Sequence, residues 1–243
     1  MTQKTKQIDS IRTTAVNQGL RAYMLRVYQL MAGGLAVSGL AAWFGSQPVF
    51  LRLLYNIDPA AHAMSLSLFG WIVILAPLVL VFMFASAVSN LNPTKAQTIF
   101  WIFSVLMGLS MSSIFLIYAT TSIAQVFLIT AGTFAGMSLW GYTTKRDLTQ
   151  MGSFLMMGLI GLILAMLVNW LMKSPALAYA ISIIGVVIFV GLTAYDTQKI
   201  RMMYDETDDE NMQKSKAISG ALSLYLDFIN LFLMLLRLMG DRR

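Results

Sequence analysis

The sequence predicts an all-α, polytopic membrane protein built as a bundle of seven transmembrane helices. Three observations carry this. Of 243 residues, 58% are hydrophobic and 12% charged, about half the charged share of a soluble domain, and the mean hydropathy is +0.71. The apolar residues come in blocks of roughly 20, the length that crosses hydrocarbon. The basic residues flank those blocks and form no run or aromatic-interleaved patch, so the net charge of +6 speaks of topology and not of nucleic acid.

Taken in order, residues 1–26 read as a cytoplasmic N-terminal tail, polar and basic, without the apolar core and cleavage site of a signal peptide. Spans are expected at 27–46, 66–85, 98–118, 122–142, 151–172, 177–196 and 219–238, a transmembrane domain over 27–238, with 239–243 as a C-terminal tail. QPVFLRLLYNIDPAAH and SNLNPTKAQ enclose the second span. ATTS is so short that spans three and four form a tight hairpin, as five and six do across KSP. TTKRDLTQ and KIRMMYDETDDENMQKSK supply the remaining connections. Pro93 and Pro175 sit where helices start, whereas Pro77 lies inside span two, where it is expected to kink the helix and free a carbonyl.

Twelve of the seventeen Lys and Arg fall in the N-terminal tail and the connections after spans two, four and six. The positive-inside rule then places the N-terminus in the cytoplasm and the C-terminus in the periplasm, provided the seventh span crosses. The basic ending, Arg242 and Arg243, pulls the other way, and a re-entrant last span would keep it inside. The small residues of GTFAG (132–136) and Gly33, Gly34 and Gly39 are expected to pack helices within one bundle, in preference to forming a dimer face.

Asp227 sits within SLYLDFINLF, where a charge costs about 2.5–3.5 kcal/mol near mid-membrane. It is therefore expected to face the bundle interior. At about 100° per residue, Asn230 and Arg237 share its face, opposite a lipid-compatible wall of Leu224, Leu231 and Leu235. Asp196 ends the sixth block in AYDTQK, beside Tyr195 and Lys199. Taken singly, each has a plainer reading: Asp227 as a structural carboxylate stapled to a neighbouring helix, Asp196 as a water-facing helix end. Spans six and seven are consecutive and antiparallel, however, which brings the two to similar depth. Two carboxylates in a low-dielectric bundle cannot both ionise cheaply, so they titrate as one unit and share a proton near neutral pH. Full deprotonation would push Asp196 and Asp227 apart or invite between them a hard, oxygen-seeking cation such as Ca²⁺.

Other chemistry lacks residues. The chain has no cysteine, and His62, its one histidine, falls in the first external connection and cannot build a zinc site alone. The acidic run DETDDE (205–210) lacks the spacing and glycine of an EF-hand and reads as a solvated loop. Span seven has no lysine for a retinal Schiff base, and no span has a histidine for a Ser–His protease. No phosphate loop or dinucleotide fingerprint is present. Neither an enzyme nor a cofactor is expected.

At GLTAYDTQKI and LSLYLDFINLFLMLLRLMG the chain resembles the Bax inhibitor-1 family, the transmembrane Bax inhibitor motif proteins. RAYMLRVYQLMAGGL, GLSMSSIF and MSLWGYTTKRDL extend the resemblance over nearly the whole chain. Its short tails and GDRR ending look like a bacterial inner-membrane member. The resemblance implies a seven-span bundle with Asp196 and Asp227 as a pH-sensitive pair. It also implies passive, pH-dependent Ca²⁺ leak and, in eukaryotes, suppression of cell death. One departure matters: no Lys or Arg lies between Arg52 and Lys95, so span two offers Asp196 no basic partner. Lys199, Arg237 or an N-terminal arginine would have to serve. The function expected is a pH-sensitive Ca²⁺ leak channel gated by the aspartate pair, with lipid, Ca²⁺ and protons as its partners. The alternative is a non-conducting interaction protein of stress or protein quality control, presenting its tail and residues 197–218 to a membrane protein partner. A proton-coupled transporter ranks third.

Overall fold

The computed structural model describes residues 2–58, 63–89 and 92–243, with the side chains of 18–56, 65–88 and 92–243. His62 lies outside them. In chain order the elements are α1 (Thr2–Gly45), α2 (Pro48–Leu54), β1 (Tyr55–Asp58), β2 (Ala63–Leu66), α3 (Leu68–Ser89), α4 (Pro93–Ser110), α5 (Ile114–Ile117), α6 (Thr120–Thr143), α7 (Thr149–Met172), α8 (Pro175–Met202) and α9 (Glu210–Met239). Among the described residues, seven stretches are long and apolar enough to cross a bilayer, and each coincides with one expected span. The ends differ most at the first and last: α1 runs back to Thr2 and α9 to Glu210. An apolar block stops at its first charge, whereas α9 runs on to a residue able to cap it. Asp209 caps α9 by accepting from the Met212 N–H at 2.6 Å. Asn92 and Ser174 cap α4 and α8, each with proline at the first helical position.

α9 is the hub. Inside the molecule lies 72% of its most apolar stretch, against 17–39% for the other six spans. It packs against α8, α1, α6 and α4. This corrects the expected lipid-facing wall: Leu224 and Leu231 are fully buried and Leu235 nearly so, because neighbouring helices cover that side, while the half-buried stripe runs through Leu226, Asn230 and Leu233 to the exposed Arg237. The lipid-facing residues lie instead on the outer helices, for example Phe82, Leu128 and Leu171.

Glycines set two of the crossings. A Cβ on Gly108 would lie 2.3 Å from the Ser38 carbonyl oxygen, and one on Gly141 2.2 Å from that of Ala194. α4 therefore meets α1, and α6 meets α8, backbone to side-chain-free backbone. Gly33 and Gly34 likewise receive Trp101 and Phe100 of α4. The expectation fails at Gly132, Gly136 and Gly39, beside which nothing lies within 4 Å. The GTFAG glycines face outward from α6 because Phe134, between them, is the residue turned to the core.

The first connection folds into α2 and an antiparallel β1–β2 hairpin pairing Tyr55 with Leu66 and Asp58 with Ala63. The chain ends are arranged at opposite ends of the bundle. At one end Tyr23 of α1 meets Tyr204 beyond α8, with ring centroids 5.6 Å apart. At the other the C-terminal tail straps onto the α5–α6 connection. Tyr118 and Arg242 form a β-bridge, Ala119 N–H donates to Asp241 O at 3.0 Å, and Arg243 N–H donates to Ile117 O at 2.9 Å. α9 thus traverses the bundle completely and is not re-entrant.

Candidate functional site

The antiparallel α8–α9 register is fixed by size complementarity. Ile200 lies over Gly220 at one end and Met234 over Gly185 at the other. This register brings Asp196 and Asp227 together, with their carboxyl groups within hydrogen-bonding reach of each other. Asp227 is 5% exposed, and its Oδ2 has no hydrogen-bond partner among the described residues. Asp196 is half-buried. An acceptor oxygen buried without a donor is costly to an ionised carboxylate, so a proton between the two carboxyls, or a cation, would relieve it.

The other residues singled out in the sequence are not all gathered there. Lys199, one turn beyond Asp196, is the cation whose field reaches that carboxylate, while its ammonium sits 5.9 Å from the Tyr195 ring. Tyr195 itself covers Gly152 of α7, where only a glycine leaves room for the ring. Asn230 turns back on its own helix, its Nδ2 donating to Leu226 O at 2.8 Å. Arg237 is ten residues past Asp227, about 15 Å along the axis, and lines a cavity at the far end of the bundle. The helical wheel placed it by angle and ignored that rise. Of the N-terminal arginines, Arg21 lines a groove between α1 and α6, Arg26 lies near Glu210, and the side chain of Arg12 lies outside the described residues. Among the described residues of this set, Lys199 is the one whose charge lies near Asp196.

The structure adds hydroxyls that the sequence did not flag. Tyr28 and Ser138 are hydrogen-bonded at 2.6 Å, and Ser138 and Thr197 at 2.9 Å, a chain from α1 through α6 to the residue next to Asp196. Tyr28 and Ser138 also line the α1–α6 groove, about 530 Å³, with Arg21 at its rim. A second cluster ties Ser38 of α1 to Tyr225 of α9 at 2.6 Å and to the Ser104 carbonyl of α4 at 2.7 Å. Gln198 clamps the α6–α7 connection, accepting from Leu148 N–H at 2.9 Å and donating to Arg146 O at 2.8 Å. Arg201 donates to the Tyr142 carbonyl beside it.

The acidic run is occupied locally. Asp205 accepts from the backbone and hydroxyl of Thr207, which holds its carboxyl below the usual carboxylate range. Asp208 pairs with Lys216 at 2.5 Å, Asp209 caps α9, and Glu210 pairs with Lys214. These side chains shape the turn between α8 and α9.

A model of the family described as inhibitor of apoptosis-promoting Bax1 matches residues 20–243. The chain belongs to the Bax inhibitor-1 family. This member is 46% identical over 228 residues to the inner membrane protein YbhL of Escherichia coli (strain K12), covering 93% of this chain and 94% of that one. It is 45% identical over 238 residues to the protein RP147 of Rickettsia prowazekii (strain Madrid E), covering 96% and 97%. A protein of Deinococcus radiodurans is 37% identical over 242 residues, with both chains fully covered. The α8–α9 pair and its surroundings thus lie within a match that spans the whole bundle.

Proposed function

We propose that this Bax inhibitor-1 protein is a pH-sensitive cation leak pathway of the bacterial inner membrane, gated by Asp196 and Asp227. The observation that carries the reading is the contact of two carboxyl groups from consecutive spans, one of them buried with an unpartnered oxygen. A shared proton joins α8 to the hub helix. Its loss leaves two like charges in a low-dielectric site, so the helices separate as pH rises. The groove and the Tyr28–Ser138–Thr197 chain supply polar steps from the α1 end toward the pair. Two carboxylates are fewer ligands than the six to eight oxygens a resident Ca²⁺ takes, which suits brief occupancy by Ca²⁺ in passage. That the YbhL relative is an inner membrane protein supports the same location here, and the lysine and arginine distribution supports an α1 end in the cytoplasm.

The test is Ca²⁺ flux into liposomes carrying the purified protein, read across pH. Wild type is expected to leak more as pH rises. Asp196→Asn and Asp227→Asn, which cannot lose the proton, are expected to flatten that dependence. Equal flux from wild type and the double variant at every pH would make the pair a structural staple and favour the non-conducting interaction protein.

A further inference from the structure

At the end of the bundle that carries the C-terminal tail, we infer a binding site for a phosphate group, presented by the headgroup of an anionic phospholipid. A cavity of about 550 Å³ lies between the α7–α8 turn and the end of α9, lined by Asn169, Lys173, Ser174, Tyr179, Arg237 and Arg242 among others. Three of its walls are cationic side chains, and no carboxylate lines it. Among the described residues, Lys173 and Arg237 have no ion-pair partner, and Arg242 lies 6.0 Å from the Tyr118 ring. Unpaired guanidinium and ammonium groups converging on one space match the charge and donor geometry of a phosphate.

Two backbone features reinforce the charge. α8 begins at this cavity, with Ser174 and Pro175 in its wall, so the positive pole of a 28-residue helix faces the same space. Lys173 closes α7 in the left-handed conformation, φ 52° and ψ 34°, a position that favours glycine. A lysine there bears a backbone penalty that a glycine would avoid, and gains only what its side chain does. Lys173, Arg237 and Arg242 are also three of the five cations on the end where the topological bias leaves few. An anion at this point accounts for their gathering.

The surroundings specify a lipid as the carrier. The cavity opens at the level where α7 ends and α8 begins, and Trp170 and Leu171 beside it are about three-quarters exposed. Tyr179, in the wall, is also exposed. Aromatic rings at a helix end mark the headgroup layer, so the cationic cavity opens where lipid phosphates lie. The volume far exceeds what one phosphate ion fills.

Native mass spectrometry of the full chain in detergent, titrated with phosphatidylglycerol, phosphatidylcholine or inorganic phosphate, tests the site. Wild type is expected to retain phosphatidylglycerol about tenfold more strongly than phosphatidylcholine, the scale of one hydrogen bond to a charged group. The variant Lys173→Gln/Arg237→Gln/Arg242→Gln is expected to lose that preference. Arg52→Gln, which removes a cation of the same end outside the cavity, is expected to keep it. Should the triple variant fail to fold, Arg237→Gln alone lowers the preference and Arg237→Lys restores most of it. An unchanged preference in the folded variants overturns the site. Displacement of phosphatidylglycerol by inorganic phosphate at comparable concentration overturns the lipid as its carrier.

Discussion

Ser38 shows how much a single hydroxyl holds in this bundle. It has one proton to give, to the Ser104 or Gly34 carbonyl, so the Tyr225 hydroxyl is the donor in their 2.6 Å contact. Tyr225 is fully buried among Phe100 and Phe103. Ser38→Ala strands that hydroxyl and is expected to cost about 1–3 kcal/mol. Tyr225→Phe removes the stranded group with the bond and is expected to cost under about 1 kcal/mol. Thermal unfolding in detergent checks the order, and equal losses would deny Ser38 its role as acceptor. Such residues were illegible in the sequence for a physical reason. Ser38 and Thr197 can turn their hydroxyls onto the carbonyl four residues back, so either sits in an apolar block at little cost and raises no alarm. Asp196 and Asp227 were legible because a carboxylate has no such refuge.

Among the elements, the helix crossings divide the glycines into two kinds. Gly141→Ala drives a methyl into the Ala194 backbone two residues from Asp196, and Gly108→Ala does the same at Ser38. Each is expected to destabilise by about 1–3 kcal/mol, since the opposing atoms are backbone and cannot rotate away. Gly132→Ala meets open space and is expected to be neutral or to stabilise by up to about 1 kcal/mol through helix propensity. Unfolding midpoints in one detergent decide this, and a loss at Gly132 equal to that at Gly141 would contradict the crossings. The sequence showed these glycines alike, because spacing reports which residues share a face and not what that face meets. The seven spans were plain from apolar length alone. The β1–β2 hairpin was not: four-residue strands leave too short a period to read, and α2 carries the apolar run PVFLRLL that a connection seldom has.

For the whole molecule, the two ends can be told apart by a label. The chain contains no cysteine, so a single introduced one reports unambiguously. With the α1 end in the cytoplasm, Asn56→Cys is expected to react with a membrane-impermeant maleimide on intact spheroplasts. Glu206→Cys is expected to react only after lysis. The reverse pattern would invert the orientation.

The central position of α9 also has a consequence for assembly. α9 follows, in chain order, every helix that it packs against. Synthesis delivers the N-terminal segments first. The six earlier spans therefore enter the bilayer around a vacant axis, with the Ser38 hydroxyl of α1 lacking its Tyr225 partner. Only when α9 inserts do the register with α8, the carboxyl contact and the C-terminal strap form, all on one late event. The centre of this bundle is the last part of it to be made.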